Sequence, residues 1–131
     1  MVDDFEPFRR FVCSMLDGRP DLQIVCEVSD GLEAVQKAKD LRSDLILLDI
    51  GLPTLNGIEV ALPIRKLSPE SKILFVSQES SADVVEEAFR LGALGCVAKT
   101  VVGRELLTAV NAVLRGEAFA SSTVAERKLQ Y

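Results

Sequence analysis

Carboxylate, hydroxyl and ammonium side chains stand at the ends of three short apolar runs. Asp49, Ser77 and Lys99 each follow four apolar or small residues, and Asp3-Asp4 precedes the first helical pattern. In an open parallel sheet, ligands bind beyond the carboxyl ends of the strands. If the three runs are such strands, these side chains converge at one edge of the sheet and form a candidate site.

The chemistry of such a site follows from its donors. Two or three carboxylates brought together cannot all stay ionised cheaply unless a cation joins them. The chain has no histidine, and a set of oxygen ligands favours a hard ion, of which Mg²⁺ fits best. A carboxylate held by Mg²⁺ and faced by an ammonium is a plausible phosphoryl acceptor. Asp49 would be the nucleophile, Lys99 and the metal would neutralise phosphoryl oxygens, and Ser77 would donate from its hydroxyl.

The elements that must position these residues alternate between strand and helix patterns. Short connections between them predict a parallel α/β sheet with helices on both faces. Strands are predicted at residues 22–28, 45–48, 73–76 and 95–98. Helices are predicted at residues 6–16, about 31–42, 58–67 with Pro63 inside, 82–91 and 105–114.

Composition restricts the function classes. A length of 131 residues fits one domain, and a net charge of −5 argues against direct binding of nucleic acid. The three cysteines, Cys13, Cys26 and Cys96, show no metal-ligand spacing and fit packing roles in a reducing cytoplasm. No apolar run approaches the ~20 residues that span a bilayer. We therefore expect a cytoplasmic domain without a membrane partner.

Taken together, the motifs resemble the receiver domains of response regulators in two-component signalling. The resemblance covers about residues 1–116 and implies a flavodoxin-like, doubly wound parallel sheet of five strands in the order 2-1-3-4-5. Four motifs carry it, in the family's order and at strand ends: Asp3-Asp4, the segment from Asp49 through Pro53 to Asn56-Gly57, Ser77, and Lys99.

The resemblance implies a role for each site residue. Asp49 would accept a phosphoryl group from a sensor histidine kinase or a small acyl phosphate. Lys99 and Ser77 would contact the phosphoryl oxygens, and Ser77 and position 96 would form the switch. The implied ligands of Mg²⁺ are Asp3, Asp4, Asp49 and the backbone carbonyl of Gly51. Glu79 and Gly51 would flank the acyl phosphate and tune its hydrolysis.

The later part of the chain resembles the LuxR-type class of receivers. Lys99-Thr100 is followed by Gly-Arg-Glu-Leu-Leu-Thr-Ala-Val at residues 103–110. The resemblance implies a receiver domain at residues 1–117 and a linker or helix at 118–131, leading toward a helix-turn-helix domain absent from this chain. It also implies control of transcription, a homodimer, and DNA contact only through that further domain. The face formed by residues 82–114 is the expected contact surface.

Three departures from the family pattern stand out. Only Met1 and Val2 precede Asp3, so the first strand, central in the family's sheet, is expected to be truncated to a stub or its gap filled by another chain. Cys96 replaces the usual Tyr or Phe, and a small thiol cannot gate a surface as a ring does. Thr100 replaces a common Pro, and a cis bond to Thr would cost about 3 kcal/mol.

Other interpretations remain open. Asp49 can be a helix cap, Asp3-Asp4 solvated charge, Ser77 an ordinary hydroxyl and Lys99 a surface lysine. The truncated strand favours a pseudo-receiver, an interaction module that works without phosphorylation. A haloacid-dehalogenase-type phosphatase also uses strand-end Asp, Ser or Thr, and Lys, but it normally carries Asp-x-Asp, whereas Gly follows two residues after Asp49. We therefore expect a regulatory phosphoacceptor and not an enzyme.

Overall fold

The computed structural model describes residues 1–3, 5–50, 57–78 and 82–120. The helices are α1 Glu6–Asp17, α2 Gly31–Leu41, α3 Gly57–Leu67, α4 Ala82–Arg90 and α5 Val102–Leu114. The strands are β1 Leu45–Asp49, β2 Lys72–Ser77, β3 Gly95–Ala98 and β4 Phe119–Ala120, and a 3₁₀ turn at Lys99–Val101 links β3 to α5.

The four strands form one parallel sheet in the order β1-β2-β3-β4. Residues 46–49, 73–77 and 95–98 are buried along their whole length, which is why these segments read as continuous apolar runs rather than alternating ones. Asp49 pairs with Val76, and Ser77 pairs with Ala98, so the carboxyl ends of three strands meet at one edge.

The first two strands of the expected sheet are reduced to single bridges. Val2 pairs in parallel with both Val28 and Leu48, so it lies between them. Its amide donates to Leu47 O at 2.8 Å, and its carbonyl accepts from the Asp49 amide at 2.9 Å. If Val2 is counted as the family's first strand and Val28 as its second, then β1, β2 and β3 are its third, fourth and fifth strands. The family order 2-1-3-4-5 is then confirmed, with the first strand truncated as expected.

The predicted strand at residues 22–28 is wrong except at Val28. Residues 22–27 adopt no regular strand, because the segment beside them, Met1 to Asp3, is too short to continue a ladder. A cavity of about 410 Å³ opens there instead, between residues 22–26 and the start of β1. Apolar side chains dominate its wall, among them Leu22, Ile24, Leu45, Val110 and Leu114.

The apolar side chains divide into two core clusters, one on each face of the sheet. Ile46, Leu48 and Phe75 point toward α2, α3 and α4, whereas Leu47, Leu74 and Val76 point toward α1 and α5. This alternation follows from the two-residue period of a strand. The helices therefore cover both faces, as predicted. No helix within the described ranges is long and apolar enough to cross a membrane.

Most helix boundaries agree with the sequence signals. Asp30 caps α2 by accepting from the amides of Leu32 and Glu33, and Arg42 ends it in the left-handed conformation at φ 46°. The α3 helix runs through Pro63. The α5 helix starts at Val102, three residues before the predicted start, and this extends the row of buried residues on its inner face.

Candidate functional site

Asp49 is fixed by the strands on either side of it. Its backbone amide donates to Val2 O, and the next amide, that of Ile50, donates to Val76 O at 3.2 Å. The residue is only 4% exposed. These two bonds thus fix the backbone of Asp49 at the carboxyl end of β1.

Asp3 is completely buried, and its two carboxylate oxygens have different surroundings. Oδ1 accepts from the Phe5 amide at 2.8 Å, where the chain turns into α1, and Phe5 itself supplies no side-chain cap to that helix. Oδ2 has no aligned hydrogen-bond donor among the residues that the structure describes. One oxygen therefore stabilises the local fold, and the other is left for the site.

Lys99 joins the two carboxylates. Its Nζ lies 2.7 Å from Asp3 Oδ2 and 3.5 Å from Asp49 Oδ1, and its side chain is 12% exposed. The approach to Asp3 is an ion pair by distance without hydrogen-bond alignment. Lys99 is the first residue of the turn after β3, and this position brings its ammonium to the edge of the sheet where β1 ends at Asp49.

The remaining predicted residues fall into two groups. Ser77 is buried at the end of β2, one residue beyond the partner of Asp49 in the register. Cys96 is buried in the core cluster under α2 to α4, and burial raises the pKa of its thiol to about 11. The other predictions lie outside the described residues, and they concern Asp4, Gly51, Pro53, Asn56, Glu79 and residues 121–131.

Two further residues at the site were not predicted. The ring of Phe8 lies beneath Lys99, with Nζ 4.6 Å from its centroid. Arg9 donates from Nη1 to Asp3 O at 2.6 Å and lies 3.6 Å from Glu27 Oε1. In the sequence Phe8 is one more member of an apolar helical stripe, and nothing in its spacing distinguishes it from an ordinary core residue.

This arrangement fits a small, hard cation. Asp3 and Asp49 bring two buried carboxylates to the same ammonium, so the three charges sum to −1. Mg²⁺ in proteins is usually held by one or two carboxylates together with waters, and Asp3 Oδ2 is a buried oxygen that lacks a hydrogen bond from the described residues. Within residues 1–3, 5–50, 57–78 and 82–120, no group of three metal-ligating side chains is present. Two described carboxylates are enough for the fit.

Known proteins give an independent view of the chain. Residues 1–111 match the family model of the response regulator receiver domain. The chain is 32% identical over 129 residues to the transcriptional regulatory protein LiaR of Bacillus subtilis, covering 98% of this chain and 61% of LiaR. It is 33% identical over 116 residues to the response regulator protein VraR of Staphylococcus aureus, covering 88% of this chain and 56% of VraR.

Solved structures of response regulators resemble this chain as well. A two-component response regulator of the LuxR family from Aurantimonas superimposes with a TM-score of 0.91 at 30% identity, over 95% of this chain and 89% of that one. The response regulator domain of Thermotoga maritima CheB gives a TM-score of 0.79 at 34% identity, over 87% and 92%.

The chain spans about three fifths of the length of LiaR and VraR. The match of residues 1–111 covers most of the sequence, and it coincides with the part that carries the Asp3, Asp49 and Lys99 constellation. The chain therefore belongs to the response regulator receiver domain family, and its relatives include regulators of the LuxR type.

Proposed function

We propose that this chain is a phosphoacceptor switch in which Asp49 receives a phosphoryl group from a sensor histidine kinase. The observation that carries the proposal is the position of Lys99, whose Nζ lies within 3.5 Å of Asp49 Oδ1 and pairs with the buried Asp3. A carboxylate nucleophile with a fixed ammonium beside it meets the requirements for in-line transfer, which depends on positioning and charge neutralisation.

The transfer step is a substitution at phosphorus. One carboxylate oxygen of Asp49 forms a bond to phosphorus while the bond from phosphorus to the donor breaks. With acetyl phosphate the leaving group is acetate, which keeps the electron pair; with a phosphohistidine it is an imidazole, whose departing nitrogen is protonated. Lys99 neutralises charge on the phosphoryl oxygens. Water later attacks phosphorus, the bond from phosphorus to the Asp49 oxygen breaks, and inorganic phosphate leaves with the Asp49 carboxylate regenerated.

Mg²⁺ is part of the proposal. Asp3 and Asp49 would hold it, joined by Asp4 and the carbonyl of Gly51 as the family resemblance implies. When bound, the ion supplies positive charge that opposes the charge on the incoming phosphoryl group.

The switch and its output follow from the same site. Ser77 would donate its hydroxyl to the phosphoryl group, and loop movement with Ser77 would carry the signal. Cys96 stays in the proposed switch as the position that the family resemblance implies. It pairs with Phe75, two residues before Ser77 in β2, and its burial in the core means that it responds only by repacking. The regulatory role requires no turnover of an external substrate.

The finer features of the full-length protein are also proposals. LiaR is a transcriptional regulatory protein and is longer than this chain, which supports a receiver at residues 1–117 followed by a linker at 118–131 toward a helix-turn-helix domain. The first residues of that linker, Phe119–Ala120, pair with the edge of the sheet. Phosphorylation would then control homodimer formation, with DNA bound only by that further domain. A cytoplasmic location fits the three cysteines, all of which are free thiols.

The decisive experiment measures intact mass after incubation with acetyl phosphate and Mg²⁺. We expect the wild-type protein to gain the mass of one phosphoryl group, and the matched variant Asp49→Asn to gain none. Equal mass gains, or no gain in either protein, would overturn the proposal.

The truncated first strand favours one alternative, a pseudo-receiver that works by protein contacts alone. It is supported by the reduction of the first strand to the two isolated bridges of Val2 and by the cavity beside them. Titration with Mg²⁺ followed by NMR separates the two, because a pseudo-receiver would show no shift of the Asp3 or Asp49 resonances.

A further inference from the structure

The ring of Phe8 is the third group that surrounds the Lys99 ammonium. Asp3 lies at 2.7 Å and Asp49 at 3.5 Å from Nζ, and the centroid of the Phe8 ring lies at 4.6 Å. Phe8 is partly buried on α1 and packs against the core cluster on that face. The ammonium is therefore held between two carboxylates from the sheet edge and one aromatic face from a helix.

An aromatic face attracts a cation without neutralising it. The ring carries a negative quadrupole over its face, so an ammonium within about 6 Å of the centroid is stabilised. A ring accepts no proton and brings no formal charge. Lysine has a long, flexible side chain, and this contact restricts it while leaving its charge available to another anion.

We propose that Phe8 is a positioning residue, which keeps Lys99 next to Asp49 so that the ammonium is in place when a phosphoryl group arrives. The proposal rests on the function proposed above for Asp49 and adds a residue to it. Because the ring of Phe8 lies against the Lys99 ammonium, its effect on phosphorylation acts through the lysine.

Two substitutions separate the ring from its packing. Phe8→Leu keeps an apolar side chain against the core but removes the aromatic face, and Phe8→Tyr keeps the face. Phe11→Leu is the matched control, since Phe11 lies on the same helix, is half exposed, and has its ring near Gly103, where an added Cβ would lie 3.8 Å from Phe11 Cζ.

The first readout is binding of beryllofluoride with Mg²⁺, followed by NMR. We expect Phe8→Leu to weaken binding by about five-fold, the size of effect given by loss of one partly desolvated cation–ring contact. Phe8→Tyr and Phe11→Leu should stay within about two-fold of wild type, because both retain the ring beneath Lys99.

The second readout does not depend on phosphorylation. Ring currents shift protons above an aromatic face upfield, so the terminal methylene protons of Lys99 should be displaced in wild type and Phe8→Tyr but not in Phe8→Leu. Thermal unfolding of all variants identifies any loss that comes from the fold alone.

The outcomes discriminate between the two proposals. An unshifted Lys99 methylene in wild type, or equal beryllofluoride affinity for wild type and Phe8→Leu, overturns the role of Phe8 while Asp49 phosphorylation stands. Absence of beryllofluoride binding in wild type overturns both. Loss of the methylene shift together with weakened binding, rescued by Phe8→Tyr, supports the role of Phe8.

Discussion

The two ends of the truncated first strand contrast sharply. Beyond Val2, the carboxyl end brings Asp3, Asp49 and Lys99 into a buried cluster in which every charge has an opposite within 3.5 Å. At the amino end, beside Met1, a mostly apolar cavity of about 410 Å³ lies between residues 22–26 and the start of β1. The two bridges made by Val2 thus suffice to place the site, whereas the short strand leaves part of the core unfilled. Positioning of the site and packing of the sheet are separable here.

The largest expected effect compares the two ends of β1. Leu48→Ala should lower the free energy of unfolding by about 3 kcal/mol, because Leu48 is fully enclosed and its loss leaves a cavity. Leu45→Ala should cost about 1 kcal/mol, because Leu45 already borders open volume. Urea unfolding with unchanged m-values measures both. Equal losses would show that the cavity is closed in solution.

The second effect comes from filling the cavity. Four residues, Ile-Val-Ile-Val, fused ahead of Met1 would continue the ladder that Val2 makes with Leu47 and Asp49. Burial of their side chains outweighs the cost of ordering them, so we expect a gain of about 2 kcal/mol in the free energy of unfolding. Thermal unfolding measures the gain, and Ser-Gly-Ser-Gly at the same place is the control. The same melting temperature for both extensions would argue against an open strand position.

The third effect tests the carboxyl end of the first strand, where Asp3, Asp49 and Lys99 meet; we call it the charged end. Lys99→Met removes the ammonium that lies within 4 Å of both the Asp3 and Asp49 side chains and leaves two buried carboxylates together. We expect a loss of about 2 kcal/mol without metal, and Mg²⁺ should recover part of it by replacing the missing charge.

Chemical denaturation with and without Mg²⁺ measures this effect. Lys66→Met, at an exposed position in the last turn of α3, is the matched control and should change little. A loss in Lys99→Met that Mg²⁺ does not reduce would mean that the two carboxylates do not bind the ion.

The smallest effect concerns the buried thiol of Cys96. Burial raises its pKa from the ordinary value of 9.0 to about 11. The thiol therefore loses its proton at a lower pH in the unfolded chain than in the folded one. As a result, the free energy of unfolding has its full value below pH 9 and falls as the pH rises from 9 toward 11. At pH 10 the loss should be about 1 kcal/mol relative to pH 8.

Comparison of the wild type with Cys96→Ala isolates the thiol, because every other titrating group is shared. The difference in free energy of unfolding between the two proteins should change between pH 8 and pH 10. A constant difference would place the Cys96 thiol in contact with solvent.

Much of the charged end could be predicted from the sequence. Continuous apolar runs mark strands buried on both faces, and the residue after such a run lies at the carboxyl edge. That reasoning predicts that Asp49 and Lys99 lie close together, and the distance between them confirms it. It could not provide Phe8, since a ring contact with a lysine so distant in the sequence is a tertiary property with no local period.

The amino end of the first strand, next to the cavity, was predicted less well for a physical reason. Residues 22–28 have the composition of a strand, but a strand needs a neighbour to pair with, and only Val28 finds one in Val2. The short β4 strand at Phe119–Ala120 was missed because two residues carry no periodic signal. It lies against Gly95, where an added Cβ would come within 2.6 Å of Leu74 Cδ1.

The divided carboxylate of Asp3 has a consequence for descent. One oxygen secures the turn into α1 through the Phe5 amide, and the other faces Lys99. In a relative that does without phosphorylation, Asp49 and Lys99 could be replaced at little cost to the fold, but loss of Asp3 would also remove the hydrogen bond that supports the start of α1. In such relatives we expect aspartate at this position more often than aspartate and lysine at the other two. The presence of Asp3 alone therefore does not indicate phosphorylation.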